Sequence, residues 1–337
     1  MESDSAHTVI ESCPACKSEL DVTEFTPHSK IVCPSCGEKF RVRSVLGHYR
    51  IAKLLGEGGM SQVFAADDVT LGRRVALKIL HQSFSRDESL TSMFEREAKL
   101  TAAINHPNVV KVYTVGRDQG YFYIAMELVW AVSVEQLIAT KGAIKEELVL
   151  RIAEDVVSGL RAAQGENLIH RDIKPGNMLV MGDSTTKLVD FGLAVHQDGV
   201  DEDEDLWATP FYVPPEKLEG EADTYLGDIY SLGATLYHAI AGEPAFVANT
   251  SSLDELIEIK KQPVDLKSKA THASKGTIKL IDTLMAYKAE DRPQSYDEIL
   301  EKIGEARQKA GITKEGAGSG AERRKQEQKL RKRYLLL

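Results

Sequence analysis

Apolar and polar positions alternate through residues 49–80, a stretch rich in Val, Ile and Leu. The alternation predicts three strands, around 49–56, 61–67 and 73–80. Over 86–104 the period becomes helical. Leu90, Met93, Phe94, Leu100 and Ile104 fall on one stripe, with Glu97 in its middle and Glu95 on the far side. Strand-like alternation returns at about 110–126. From 133 helical spacing dominates, around 133–140, 145–164, 226–241, 252–260, 276–287 and 296–309. A strand-rich front and a helical rear predict an α+β chain of two lobes with a cleft between them. The best apolar run, "IYSLGATLYHAIAG", contains His238 and two glycines. It is too short for a membrane span and reads as a buried helix.

Both ends depart from this pattern. Residues 1–46 hold all four cysteines of the chain: Cys13, Cys16, Cys33 and Cys36. The spacing is C-x2-C, sixteen residues, C-x2-C, which suits a metal site. A tight turn lets each pair of sulfurs face one ion, and Zn²⁺ accepts four in a tetrahedron. Two disulfides or a redox C-x2-C are the alternatives. A segment of about 35 residues buries little core, so a structural Zn²⁺ would supply most of its folding energy. With four protein ligands no coordination position is open for catalysis. "CPSCGEKFRVR" resembles a small zinc ribbon, a kind of module that binds a protein or a nucleic acid. No internal repeat is evident.

Residues 305–337 form a flexible tail, with a Gly/Ser/Ala stretch followed by seven Lys/Arg against two Glu in 321–333. That charge could attract anionic lipid or simply be solvated. The whole chain of 337 residues has a net charge of −9, which argues against broad nucleic-acid binding. The acidic start "MESDSAHTVI" is not a secretory signal. A cytoplasmic protein is expected, associated with membrane only through the tail.

The middle of the chain carries the chemistry. "LLGEGGMSQVF" sets Gly56 and Gly58 in a strand-turn-strand, where backbone N–H groups can approach an anion. "VALKIL" puts Lys78 in a buried strand. Glu97, a carboxylate inside an apolar stripe, needs a cation, and Lys78 is the obvious partner. In "LIHRDIKPGNMLV" the side chains of Asp172, Lys174 and Asn177 project from a loop, and "TKLVDFGLA" adds Asp190. Asn177 and Asp190 offer the hard oxygens that Mg²⁺ (or Mn²⁺) on a triphosphate needs. Asp172 can orient a hydroxyl and accept its proton, and Lys174 can neutralise charge on the phosphoryl in flight.

These motifs, in this order, resemble the protein kinase family, and most closely the bacterial branch of eukaryotic-type Ser/Thr kinases. The resemblance covers residues 47–304. It implies the bilobal kinase fold: an N-lobe at 47–126, a hinge at 127–130 and a C-lobe at 131–304, preceded by the ribbon. It implies ATP as phosphoryl donor and protein Ser/Thr hydroxyls as acceptors. By the same resemblance ATP meets Leu55, Gly56, Glu57, Gly58, Gly59, Met60, Ser61, Val63, Ala76, Lys78, Met126, Glu127, Val129 and Leu179. Thr209 matches a threonine that contacts the catalytic loop. Asp228 of "DIYSLG" braces that loop, and Arg292 of "DRP" pairs with Glu216. Pro214 stands where the family's A-P-E segment has Ala, and Ser61 replaces the usual third loop glycine. Trp130 and Val132 stand in a stretch where relatives often have an acidic residue and glycines.

Six carboxylates fall between Asp198 and Asp205, and no Ser, Thr or Tyr lies between Phe191 and Ala208. The resemblance makes this an activation segment, in which phosphate often pairs with the arginine beside the catalytic aspartate, here Arg171. The run could mimic such a phosphate, or repel itself as a solvated loop. The competing function is a pseudokinase scaffold whose ribbon recruits a partner, although a scaffold has no chemical need for the complete set of catalytic residues.

Overall fold

Four short strands open the chain: β1 (Ile10–Ser12), β2 (Glu19–Asp21), β3 (Lys30–Val32) and β4 (Lys39–Arg41). They pair as two hairpins, β1 with β2 and β3 with β4. The computed structural model describes residues 9–191, 195–196, 211–247 and 252–312. The two hairpins are copies of one another, displaced by twenty residues. Ile10 pairs with Asp21 and Lys30 with Arg41. Cys13 N donates to Ser18 O, and Cys33 N to Glu38 O. Val22 and Val42 are both fully buried. This is an internal repeat, contrary to the expectation from sequence. Side-chain chemistry has diverged between the copies while knuckle geometry has not. Each knuckle ends in a left-handed residue, Gly37 at φ +79° and Lys17 at φ +62°. Glycine takes that conformation freely and lysine does so under strain.

The chain divides into two compact units, Met1–Ala102 with Lys111–Leu128, and Ala103–Val110 with Val129–Leu337. The Cys hairpins belong to the first. The rest of that unit holds β5 (Val45–Leu46), β6 (Tyr49–Glu57), β7 (Ser61–Asp68), β8 (Arg73–Leu80), α1 (Gln82–Ser85), α2 (Glu88–Ala103), β9 (Val112–Asp118) and β10 (Tyr121–Glu127). Its sheet has the order β5-β6-β7-β8-β10-β9. Alternation sorts the side chains to two faces. Val75, Leu77 and Ile79 join Tyr49, Ile51, Phe64, Tyr121 and Tyr123 on one face. Leu80, Phe122 and Ile124 join Phe94 and Ala98 of α2 on the other. Of the predicted stripe, Phe94 and Leu100 on α2 and Ile104 just past its end are buried, while Met93 is 37 % exposed.

The face away from α2 meets the Cys hairpins. Arg43 is 3 % exposed and lies 4.9 Å over the Tyr121 ring. Its Nη1 donates to Thr23 O and Phe25 O at 2.9 and 3.1 Å, and its Nη2 to Gln119 O at 2.9 Å. Its backbone N–H donates to Glu11 Oε1 at 2.6 Å. Gln119 sits in the two-residue β9–β10 turn, at φ +49° with Gly120 at +77°, the angles a tight hairpin demands. His28 packs edge-on to Phe64 at 6.1 Å. One buried guanidinium thus fastens the Cys module to the sheet.

The second unit holds β11 (Ala131–Ser133), α3 (Val134–Lys141), α4 (Glu146–Gly165), β12 (Leu168–Ile169), β13 (Met178–Met181), β14 (Thr186–Leu188), β15 (Val195–His196), α5 (Pro215–Leu218), α6 (Tyr225–Ala241), α7 (Leu253–Lys260), α8 (Leu266–Lys269), α9 (Lys275–Leu284) and α10 (Tyr296–Lys309). Helix α6 is buried nearly all round, as its apolar sequence requires. Helices α3, α4, α8 and α9 pack around it, and α10 covers α4 and α9. Ser133 starts α3 with a reciprocal capping box to Gln136. Strands β11, β13 and β14 form a small antiparallel sheet carrying the loops that matter for chemistry. No helix among the described residues is long and apolar enough to cross a membrane.

Candidate active site

In the first unit the glycine turn joins β6 to β7. Leu55, Gly56 and Glu57 end β6, Gly58, Gly59 and Met60 turn, and Ser61 and Val63 lie on β7. Gly58 N donates to Ser61 O at 2.8 Å. His81 steadies the turn: its N–H donates to Met60 O at 2.9 Å, and its Nε2 lies 3.2 Å from Gly58 O. A Cβ at Gly56 or Gly59 would meet nothing within 4 Å, and neither residue has a positive φ. Neither packing nor backbone angle therefore demands glycine there.

Lys78 lies opposite Val63 on β7 and Ile124 on β10. Its side chain shares the α2-facing side of β8 with Ala76 and Leu80, is 8 % exposed, and places Nζ 5.1 Å from the Phe94 ring centroid. Glu97 lies within α2, one turn beyond Phe94; its side chain is outside the described residues, as are Thr209, the run 198–205 and the tail 313–337. Ala76 pairs with Ala65 and Met126. Met126 packs on the Phe94 cluster. Glu127 ends β10, donating its N–H to Lys111 O at 2.8 Å and accepting Lys111 N at its own carboxylate. Val129 and Leu179 belong to the second unit, Leu179 on β13 opposite Ser133 and Lys187.

The second unit brings Asp172, Lys174 and Asn177 together. Asp172 Oδ2 lies 2.7 Å from Lys174 Nζ and accepts Asn177 Nδ2 at 2.9 Å. The same Asn177 amide also donates to Asp172 O. Both N–H groups thus point inward, and Oδ1 is not engaged by these bonds. Val189 N donates to Asn177 O at 3.0 Å, joining the loop to the strand end that carries Asp190. Asp190 is exposed, at φ +65°. Beneath the loop Asp228, 2 % exposed, accepts His170 N and Arg171 N, each at 2.8 Å. Burial raises its carboxyl to about 7 despite these two donors. Asp228 thus holds the backbone of the loop at His170 and Arg171.

His170 is fully buried against Phe191, with ring centroids 4.3 Å apart. Desolvation lowers it to about 4. A histidine depressed in the folded chain contributes stability above its ordinary value near 6.5, and loses it as pH falls toward 4. Relative to a His170→Phe variant, the wild type should lose on the order of 3 kcal/mol of unfolding free energy between pH 6.5 and 4. Urea titrations giving the same wild-type-to-variant difference at both pH values would refute this.

Glu216 and Arg292 form a buried, two-pronged ion pair. Arg292 Nη1 and Nη2 donate to Glu216 Oε1 and Oε2 at 2.6 and 2.7 Å. The remaining guanidinium donors reach Ala286 O, Leu226 O and Tyr287 O, each at 2.9 Å. Removing one partner strands the other as a buried charge. Arg292→Ala should destabilise the fold by about 3–5 kcal/mol, read as a shifted denaturant midpoint at unchanged slope. Pro214, in place of Ala, packs its ring where a Cβ on Gly227 would come within 3.3 Å.

Three arrangements escaped the sequence reading. Asp223 lies on Arg171 and Lys217. Tyr212 Oη lies 2.7 Å from His238 Nδ1. Lys260, 4 % exposed, lies 5.2 Å from both the Tyr230 and Phe246 rings, and burial lowers it to about 7. None has a local signal, because each joins residues 6 to 52 positions apart by topology.

The four cysteine sulfurs lie within 4.8 Å of one another. Cys13 and Cys36 are 3.7 Å apart, Cys16 and Cys33 3.6 Å, and none of the four is in a disulfide. The Cys16 sulfur lies 3.2 Å from Ser18 Oγ, and its hydrogen bonds with the Ser18 side chain and backbone pull that thiol down to about 6.

A β-sheet carrying a buried lysine beside a glycine turn, and a helical unit carrying this loop, define a known family: residues 49–303 match the protein kinase domain, and the chain belongs to it. It is similar to serine/threonine-protein kinase PrkC of Bacillus subtilis, 32 % identical over 206 residues, covering 60 % of this chain and 32 % of that protein. It is also similar to serine/threonine-protein kinase PknB of Mycobacterium leprae, 30 % identical over 258 residues, covering 74 % and 42 %. The chain thus spans well under half the length of these relatives. The crystal structure of the Mycobacterium tuberculosis PknI kinase domain has the same fold, with a TM-score of 0.60 at 24 % identity, covering 78 % of this chain and 97 % of that one.

Proposed function

We propose that this chain is a serine/threonine protein kinase that transfers the γ-phosphoryl group of ATP to protein hydroxyls. The observation that carries the reading is Asp172, whose carboxylate is oriented by Lys174 and Asn177 on a loop seated on Asp228. A serine or threonine hydroxyl donates to Asp172 as its oxygen bonds to the γ-phosphorus. The bond from that phosphorus to the bridging oxygen breaks, ADP leaves, and the proton passes to Asp172. Lys174 neutralises charge on the phosphoryl in flight. Asn177 and Asp190 are the oxygen donors that would hold Mg²⁺ or Mn²⁺, and the engagement of the Asn177 amide nitrogen by Asp172 fits that role. When bound, the ion supplies charge neutralisation on the triphosphate. The glycines that no packing contact requires fit a backbone approach to phosphates, and Lys78 adds charge for them.

Incubation with γ-labelled ATP and a generic basic protein, followed by phosphoamino-acid analysis, tests the reading. Label on serine or threonine is expected. Label no greater than in an Asp172→Asn control would favour a scaffold, and label on tyrosine would overturn the substrate class.

The four sulfurs suit a structural Zn²⁺. A tetrahedron with Zn–S near 2.3 Å has sulfur–sulfur edges of about 3.8 Å, close to the two shortest separations here. A protein or nucleic-acid partner for the ribbon, and an anionic-lipid contact for the tail, are supported by residue composition alone.

A further inference from the structure

Arg171 is gripped twice by one short stretch of chain. Its backbone N–H donates to Asp228. Its guanidinium donates to Asp223 Oδ2, through Nε at 2.7 Å and also through Nη2. Lys217 Nζ of α5 donates to the same oxygen at 3.3 Å. The Arg171, Lys217 and Asp223 side chains are 7, 16 and 15 % exposed, so the attraction is poorly screened. Arg171 also has φ +68°, a left-handed backbone that a residue with a Cβ holds only when its surroundings impose it. The next residue is Asp172.

We propose that Asp223 is a positioning residue for phosphoryl transfer. It is a built-in counter-ion that seats Arg171 and Lys217 on one carboxylate oxygen, fixing the Asp172 loop and tying it to α5. Without that carboxylate the guanidinium and the ammonium lose the oxygen they share. The carboxylate comes from outside residues 191–216. The inference rests on the kinase reading above and concerns how its loop is held.

Steady-state kinetics of Asp223→Asn and Asp223→Gly test it. For both, kcat should fall at least tenfold while KM for ATP stays within twofold. Acetate should restore kcat of Asp223→Gly saturably, while chloride at equal ionic strength should not, because only a carboxylate refills the seat. Amide exchange over residues 168–173, followed without substrate, should quicken in Asp223→Asn. Wild-type kcat and unchanged exchange in Asp223→Asn would overturn the proposal. So would a folded, slow Asp223→Gly enzyme that ignores acetate. If Asp223→Gly does not fold, the kcat–KM split and exchange of Asp223→Asn decide. A wild type that transfers no phosphate would defeat the kinase reading instead, and the exchange comparison would still decide whether Asp223 holds the loop.

Discussion

Asp172→Asn should lower kcat by about 10²–10⁴-fold, the range for loss of a positioned general base. The substitution changes one oxygen to nitrogen and removes the charge. The new side-chain amide could still accept from Asn177, so the loop should keep its outline. It could no longer take a proton from an attacking hydroxyl, and Lys174, now 2.7 Å from the carboxylate, would lose its counter-charge. Nucleotide affinity should stay within a few-fold of wild type, because in the proposed reaction Asp172 acts on the acceptor hydroxyl and not on the nucleotide. The melting temperature should move little, since the side chain is partly solvated. The pattern to look for is a collapse in kcat beside intact nucleotide binding by calorimetry. A variant with wild-type turnover would remove Asp172 from the chemistry. One that loses nucleotide binding as well would show that the substitution acts through the fold.

Much of this arrangement was legible because its determinants are local. The strands at 49–57, 61–68 and 73–80 and the helices at 134–141, 146–165 and 225–241 fall within a residue or two of the expected bounds. Each has a periodic apolar pattern long enough to fix its phase. The loop residues Asp172, Lys174 and Asn177 lie within six positions of one another, so their spacing alone brings them together. What failed was long-range or too short to have a phase. Strands β1 to β4 have three residues each, and an alternation that short cannot be told from loop. Their twenty-residue repeat survives in cysteines, buried valines and knuckle angles but not in charge. Asp223 in "EADTYLGD" looks like any solvated acid until the fold sets it on Arg171. Arg43 reads as one more basic residue of "FRVR", yet it is buried because Thr23, Phe25 and Gln119 supply carbonyls to it.

A chelator that strips the proposed Zn²⁺ from the Cys module should unfold the two hairpins and loosen the sheet beneath them. The module's own packing is too slight to do otherwise: among the described residues 9–42, Val22, Val42, Cys13 and Cys33 are its fully buried apolar residues, and isolated hairpins with strands this short are unstable in water. Structural Zn²⁺ in small modules contributes about 10–16 kcal/mol of apparent binding free energy, most of it expressed as folding. The damage should spread along Arg43. Its guanidinium is held by Thr23 and Phe25 on one side and Gln119 on the other. If the Thr23 and Phe25 carbonyls leave, a buried cation loses those acceptors and must move to water, uncovering the Tyr121 ring. Hydrogen exchange should therefore quicken first in residues 9–42, then in the Gln119–Gly120 turn and the β9 and β10 strands it joins, while α4 and α6 keep their protection. Metal analysis of the purified chain should find one zinc per molecule, lost on treatment with a strong chelator. An Arg43→Met variant should retain the zinc but confine the chelator's effect to residues 9–42. A purified chain with no bound metal, or unchanged exchange in both hairpins after chelation, would mean that the sulfurs converge for some reason other than holding an ion.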